Sequence, residues 1–269
     1  EFFECTNVAS FTFNSGKLGT LPPLSHLTGL RQLRLVKNDF TEIPESVLDV
    51  VTLEELDMGN NVIECLSPNI SKLVNLTELY LYVNQIPSVP EELGLMTQLR
   101  VLNLAHNFLR ELPAVCISTL SCLNQLKLSG NFIKELPSEV CALTHLSDLN
   151  VSRNQIREIP ADIGKLASLQ WFDAARNYIS IIPESMTTLK DLEEVVVSRN
   201  RIREMPGRFP ALELLLMDHN NLTELPEDFS MPNLIEASFS FNKLTSLHPA
   251  VGECVELEKL ELASNRLSS

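Results

Sequence analysis

The segment Leu99-Arg100-Val101-Leu102-Asn103-Leu104-Ala105-His106-Asn107-Phe108-Leu109 carries the pattern that decides the fold. Counted from Leu99, apolar residues stand at positions 1, 4, 6 and 11, and an asparagine stands at position 9. The same frame recurs through the chain, and its position-9 residues are Gly16, Asn38, Asn61, Asn84, Asn107, Asn131, Asn154, Asn177, Asn200, Asn220, Asn242 and Asn265. This regular spacing, close to 23 residues, predicts that the 269-residue chain is built from about twelve copies of one coil.

The alternation of apolar residues at positions 4 and 6 predicts a short β-strand whose apolar face points inward. One such strand cannot bury that face alone, but stacked neighbours form a continuous parallel sheet over a shared core. Each buried leucine side chain stabilises this arrangement by roughly 1.5–3 kcal/mol relative to an exposed one.

The outer half of most repeats carries an apolar residue and a proline at positions 14 and 15. These pairs are Ile43-Pro44, Val89-Pro90, Leu112-Pro113, Leu136-Pro137, Ile159-Pro160, Ile182-Pro183, Met205-Pro206 and Leu225-Pro226. Because proline fixes φ and cannot donate to a strand ladder, this half is predicted to form turns with short helical or extended segments. The outer half is the bulkier one, so the stack is expected to curve with its sheet on the concave side.

This pattern resembles the leucine-rich repeat. The stretch from Asn154 to Leu169 is similar to the 23-residue unit of the intracellular Ras-associated class, which includes the Sur-8/Shoc scaffold, Ras suppressor protein, Scribble and Erbin. The resemblance implies an α/β fold, a leucine-rich repeat solenoid that forms a curved right-handed superhelix. Its parallel sheet lies on the concave face, and short helical or extended segments lie on the convex face. In this family the asparagine amide is expected inside, bonded to the backbone of adjacent coils.

Composition excludes several classes of function. With 21 Lys and Arg against 35 Asp and Glu, the net charge is −14, which disfavours nucleic acid as a partner. No apolar run reaches the ~18 residues that a membrane span needs. Nine glycines and 6% aromatic residues argue against a glycine-rich nucleotide site, and no cofactor is expected.

The chain also lacks a recognisable catalytic or metal-binding motif. The histidines are scattered through different coils, and the six cysteines contain no C-x-x-C pair. The cysteines are interpreted as reduced structural thiols of a cytoplasmic protein. We therefore expect no catalytic, cofactor-binding or metal-binding residue and no enzyme activity in this chain. Enzyme activity of a longer protein that contains it would belong to the regions that flank this chain.

Residues at positions 3 and 5 point away from the core and onto the concave face. Twelve strands about 4.8 Å apart span roughly 55 Å, which suits a folded protein partner. Exposed Trp, Leu and Arg together are typical of an interface hot spot. The predicted partner-binding residues are Arg153, Trp171, Asp173, Arg176, Val196, Arg199, Leu214, Leu216, Tyr80 and Tyr82. The alternative is that the arginines pair with Asp148, Asp173, Glu193 and Glu194 in a solvated ladder.

Residues 1–269 are expected to form a single leucine-rich repeat domain whose first repeat is degenerate and whose last is incomplete. Phe2 and Cys5 fall where the outer half of a preceding coil would lie, so we expect a fragment of a larger protein. Two repeats depart from the usual length: the one from Asn200 to Asn220 is short, and the one from Asn107 to Asn131 is one residue longer. Loop variation is the favoured interpretation, and a local change of curvature is the alternative.

The leading functional hypothesis is an intracellular signalling scaffold whose concave face binds a protein. By family resemblance the partner is a small GTPase or a phosphatase. The alternative is a recognition or autoregulatory segment of a multidomain kinase, phosphatase, adenylate cyclase or Roco GTPase. A third possibility, an extracellular receptor domain, predicts terminal disulfide caps.

Overall fold

A computed structural model describes residues 7–268 of the chain. The positions Phe2 and Cys5, interpreted above as part of a preceding coil, lie outside the described residues. Contacts within the chain divide it into two compact units, and the division falls between Phe132 and Ile133. We call them the N-terminal unit and the C-terminal unit and describe each by itself.

Each unit contains six short parallel strands among the described residues. In the N-terminal unit these are β1 (Ser10–Thr12), β2 (Gln32–Arg34), β3 (Glu55–Asp57), β4 (Glu78–Tyr80), β5 (Val101–Asn103) and β6 (Gln125–Lys127). In the C-terminal unit they are β7 (Asp148–Asn150), β8 (Trp171–Asp173), β9 (Glu194–Val196), β10 (Leu214–Leu216), β11 (Glu236–Ser238) and β12 (Lys259–Glu261). Within each unit the strands lie side by side in sequence order.

Every strand occupies positions 3 to 5 of the repeat, and neighbouring strands pair at equal positions. Leu56 pairs with Leu79 in one unit, and Phe172 pairs with Val195 in the other. The position-4 side chain points into the core, whereas the side chains at positions 3 and 5 lie on the opposite side of the sheet, away from the core. We call that side the strand face. The predicted strand positions and the leucine-rich repeat solenoid are confirmed.

Among residues 7–268, the outer halves of eight coils contain a short helix, and five of these helices directly follow a predicted proline, whereas none follows Pro206 or Pro226. Two are α-helical, α1 (Glu45–Leu48) and α2 (Ala114–Thr119). The others are single 3₁₀ turns at Pro68–Lys72, Glu91–Leu95, Ser138–Ala142, Ile163–Lys165, Glu184–Thr188 and Pro249–Glu253. Proline suits the position just before a helix because it supplies no N–H that the helix would leave unpaired.

The two irregular repeats differ from the others in these outer segments. The longer repeat accommodates its extra residue in α2, which has six residues where most neighbours have a five-residue 3₁₀ turn. The short repeat has no helix between β9 and β10, as the next repeat has none between β10 and β11, and the buried Phe209 supplies its core contact. The extended segments of this repeat and the next one form a parallel bridge between Arg208 and Ser230.

Candidate functional site

The position-9 asparagines form the backbone ladder that the family resemblance implied. In a typical coil, the Asn107 side-chain Nδ2 donates to the carbonyls of Leu81 (2.9 Å) and Leu104 (3.1 Å). Its Oδ1 accepts from the backbone N–H of Ile86 (3.0 Å). Asn38, Asn61, Asn84, Asn107, Asn131, Asn154, Asn177, Asn200, Asn220 and Asn242 are all buried. These amides are committed to the fold, so a partner must be recognised by other positions.

Position 8 has a backbone conformation that the sequence pattern did not reveal. Each coil places this residue in the left-handed region, with φ between 54° and 70°, and only one of these residues is a glycine. They are Ser15, Lys37, Asn60, Val83, His106, Gly130, Arg153, Arg176, Arg199, His219, Phe241 and Ser264. We call this row of residues the turn edge. An L-residue in this region costs roughly 1–2 kcal/mol, so its side chains are presented in spite of a backbone penalty.

The strand face of the N-terminal unit is held by ion pairs and hydrogen bonds within the unit. The half-exposed Arg34 binds buried Glu55 in a two-bond pair, with Nε–Oε1 at 2.6 Å and Nη2–Oε2 at 3.1 Å. The Tyr80 hydroxyl donates to Glu78 Oε2 (2.8 Å). Burial, and then this hydrogen bond, raise the pKa of Tyr80 above its ordinary value. The phenol is therefore neutral and already has a partner.

Tyr82 is likewise packed against its own unit. A side chain at Gly59 would overlap the Tyr82 ring, so this glycine is what lets the ring lie over the preceding coil. The Gly59 N–H donates to Asp57 Oδ1 (3.0 Å), and burial raises the pKa of that carboxyl group. The structure thus brings Tyr80 and Tyr82 to one region, where contacts inside the unit already engage them.

The strand face of the C-terminal unit is apolar at its centre. Val196 and Leu216 are register partners on adjacent strands β9 and β10, and Leu214 shares the face of β10. All three are half-buried. Trp171 is 38% exposed on β8 and is separated from Leu214 by Glu194, with which both pair. The predicted apolar residues therefore share one face, with a carboxylate between the tryptophan and Leu214.

Asp173 lies at the end of β8 and serves the backbone. Its Oδ1 accepts from the Ala175 N–H (2.9 Å), and its Oδ2 accepts from Asn150 Nδ2 (3.2 Å). The first bond caps the turn that leads to Arg176, and the second joins the side chains of β8 and β7. Both oxygens of Asp173 therefore already accept hydrogen bonds within the unit.

Arg153, Arg176 and Arg199 lie on the turn edge after the consecutive strands β7, β8 and β9, and all three are exposed. Within residues 7–268, no carboxylate lies within 4 Å of any of these guanidinium groups. The alternative of a solvated ladder of arginine–carboxylate pairs is therefore wrong for these three residues.

Two contacts of aromatic rings lie on or beside this edge. The rings of His219 and Phe241 stack with centroids 4.2 Å apart, and Phe241 is 51% exposed. Two positions further along the repeat, the Arg201 guanidinium lies over the Tyr178 ring at 4.7 Å. A groove of about 570 Å³ runs beside the first pair and is lined in part by Leu216 and Glu236. The Tyr178–Arg201 pair was missed by the sequence analysis, although its two-residue offset from position 8 is visible in the repeat.

The cysteines of the described chain are free thiols. Cys116, Cys141 and Cys254 are buried, and Cys65 and Cys122 are exposed. Burial raises the pKa of Cys116 and of Cys141 to about 11, which keeps both thiols protonated and unreactive at neutral pH. No cluster of three or more potential metal ligands occurs in residues 7–268. Over the same residues, no helix is long and apolar enough to cross a bilayer.

Comparison with known proteins agrees with this architecture. The family model described as leucine rich repeat matches residues 74–133. The leucine-rich repeat protein LIC12759 of Leptospira interrogans is similar at 30% identity with a TM-score of 0.90, over 96% of this chain and 67% of that one. The chain belongs to the leucine-rich repeat proteins, whose fold is a protein-interaction module.

Two further structures place the fold in longer proteins. One is the leucine-rich repeat ectodomain of the Arabidopsis thaliana membrane receptor kinase GASSHO1/SCHENGEN3, in complex with CASPARIAN STRIP INTEGRITY FACTOR 2. It is 26% identical with a TM-score of 0.75, over 94% of this chain and 35% of that one. The other is an internalin, inlF, of Listeria monocytogenes, which at 21% identity and a TM-score of 0.77 shares the fold, over 97% of this chain and 82% of that one.

Proposed function

We propose that the C-terminal unit binds a protein partner through its strand face, and that the chain acts as an interaction module in intracellular signalling. The observation that carries the proposal is the contrast between partly exposed Trp171, Val196 and Leu216 and the internally satisfied polar face of the other unit. Apolar side chains gain most from being covered, and tryptophan and arginine supply most of the binding energy in many interfaces.

The partner is proposed to be a small GTPase or a phosphatase. The support for this choice is the resemblance of the 23-residue unit to the intracellular Ras-associated repeats. The free thiols at Cys65, Cys116, Cys122, Cys141 and Cys254 support a cytoplasmic location, because extracellular proteins tend to oxidise their cysteines to disulfides. A count of reactive thiols in denatured protein purified without reductant tests the location, and disulfide-linked pairs would contradict it.

A second candidate function is the recognition segment of a larger signalling enzyme. The similarity to part of a receptor kinase ectodomain, of which this chain spans 35%, favours it. Both candidates use the same surface, and they differ only in whether the segment is joined to a catalytic domain. Sequencing the full-length transcript distinguishes them.

Quantitative affinity capture from the source cells tests the binding surface. The double variant Trp171→Ala/Leu216→Ala removes the tryptophan and one of the two leucines of the strand face, and the captured partners should fall by roughly tenfold or more. The matched control is Val101→Ala/Tyr80→Ala on the N-terminal strand face, where we expect a smaller loss. Tyr80 and Tyr82 stay predicted contacts of lower weight, because Glu78 and Gly59 already engage them. If Trp171→Ala/Leu216→Ala captures every partner as the wild type does, the proposed surface is wrong.

A further inference from the structure

The turn edge of the C-terminal unit places three positive charges in a fixed row. The backbone N–H groups of Arg153, Arg176 and Arg199 donate to the position-7 carbonyl of the next coil at 2.7, 2.8 and 2.8 Å. The spacing of adjacent parallel strands then separates successive Cα atoms by about 4.8 Å. Three cationic side chains therefore start within about 10 Å of one another, on a backbone that is already ordered.

No carboxylate among residues 7–268 forms an ion pair with this row. Asp173 accepts hydrogen bonds from Ala175 and Asn150, and Asp218 accepts from the Ser198 hydroxyl at 2.7 Å. A protein with a net charge of −14 thus retains a local cationic row whose members repel one another. An anion bound across the row removes that repulsion and forms charge-assisted hydrogen bonds with the guanidinium groups.

We infer that this part of the turn edge, Arg153, Arg176 and Arg199, docks an acidic segment of a partner protein. The inference rests on the proposed function and adds to it the chemistry of the partner. A polypeptide is favoured over nucleic acid, because the net charge of −14 repels a long phosphate backbone while a short acidic segment meets mainly the local row.

The length of the segment follows from the spacing of the row. An extended chain advances about 3.3 Å per residue, so roughly four residues cross the three coils. The next position of the turn edge after Arg199 is His219, whose ring stacks on that of Phe241. The segment is therefore expected to carry Asp or Glu over the row and an apolar residue next to it.

Fluorescence anisotropy with fluorescein-labelled decaglutamate tests the row directly. The full chain should bind the peptide, and binding should weaken as sodium chloride is raised, because the contacts are exposed and screened. The triple variant Arg153→Gln/Arg176→Gln/Arg199→Gln should weaken binding at low salt by about tenfold, the combined effect of three exposed charge contacts. Replacing the same three residues by lysine should keep the affinity within about threefold, since the charges remain.

The matched control is Arg110→Gln/Lys134→Gln/Lys190→Gln, which changes the net charge equally at exposed positions off the row and should shift the affinity by less than about twofold. Circular dichroism of all variants checks that they fold. The inference is overturned if the two glutamine triples behave alike, or if the wild type fails to bind decaglutamate at low salt. It is also overturned if single-stranded decathymidylate binds more tightly through the same three arginines.

The peptide experiment separates this inference from the proposed function. Trp171→Ala/Leu216→Ala should leave decaglutamate binding within about twofold, since neither side chain belongs to the row. Peptide binding without partner capture contradicts the strand-face proposal alone. The acidic-segment inference alone is contradicted by two results together. The arginine-to-glutamine triple variant captures partners as the wild type does, and the wild type does not bind decaglutamate.

Discussion

The two units share one backbone plan and differ in the side chains that the plan presents. On the N-terminal strand face, charged and phenolic groups bind one another, as in the Arg34–Glu55 pair. On the C-terminal strand face, the centre is apolar and the adjoining arginines have no ion pair among residues 7–268. The repeat therefore specifies a scaffold, and function depends on the positions that the repeat leaves free.

The ladder asparagines should be equally important in both units, and their loss should give the largest effect on stability. Asn177 repeats the bonds of Asn107, with Nδ2 donating to Val151 and Ala174 and Oδ1 accepting from Ile156. Asn107→Ala and Asn177→Ala should each lower the free energy of unfolding by roughly 3 kcal/mol, since buried backbone groups lose their partners. Urea denaturation measures this, with exposed Asn75→Ala as the control. If the losses of unfolding free energy at the two sites differ by more than about 2 kcal/mol, the asparagine ladders of the two units are not equivalent.

The outer segment of the short repeat should be sensitive to an added side chain. A Cβ atom at Gly207 would lie 2.8 Å from the backbone carbonyl of Asp228, which cannot move without disturbing the neighbouring coil. Gly207→Ala should cost roughly 1–3 kcal/mol of unfolding free energy. At Gly252 nothing lies within 4 Å of such an atom, so Gly252→Ala should be nearly neutral. Equal thermal midpoints for the two variants would show that the close approach at Gly207 is not rigid.

Substitutions on the turn edge should affect stability in the N-terminal unit and partner binding in the C-terminal unit. Val83, a β-branched residue at φ 54°, is 42% exposed. Val83→Asn should raise the unfolding free energy by about 1 kcal/mol, because asparagine tolerates the left-handed region, and should leave partner binding unchanged. Arg176→Asn should not destabilise the fold but should weaken binding. Denaturation and partner capture are measured on the same samples. An equal loss of binding in both variants would contradict the assignment of the site to one unit.

The smallest expected effect concerns the half-buried carboxyl group of Asp57 on the N-terminal strand face. Burial raises the folded-state pKa of Asp57 above its unfolded value, so the ionised group is destabilising at neutral pH. The wild-type protein gains stability from this group as pH falls through the folded-state pKa, where the folded form takes up the proton first. Asp57→Asn keeps an acceptor for Gly59 and should be slightly more stable at pH 7. The advantage should vanish in acid, and a variant that is less stable at pH 7 would show that Arg34 outweighs burial.

The sequence predicted the fold in detail because the repeat is itself a physical specification. Positions 4 and 6 identified every strand, and the prolines placed the outer segments. The left-handed backbone at position 8 was not predicted, since Val83, Arg153 and Phe241 have no propensity for it and the coil imposes it. Periodicity also does not reveal which charges meet, so the free arginines and the Arg34–Glu55 pair emerged only from side-chain positions.

Site-specific photocrosslinking tests most directly the claim that recognition belongs to the C-terminal unit. Benzoylphenylalanine in place of Leu214 is compared with the same residue in place of Val101, since both occupy position 3 of a strand and are half-buried. We expect the captured partner to crosslink at position 214 and not at position 101. A crosslink at position 101 with none at position 214 would contradict the account.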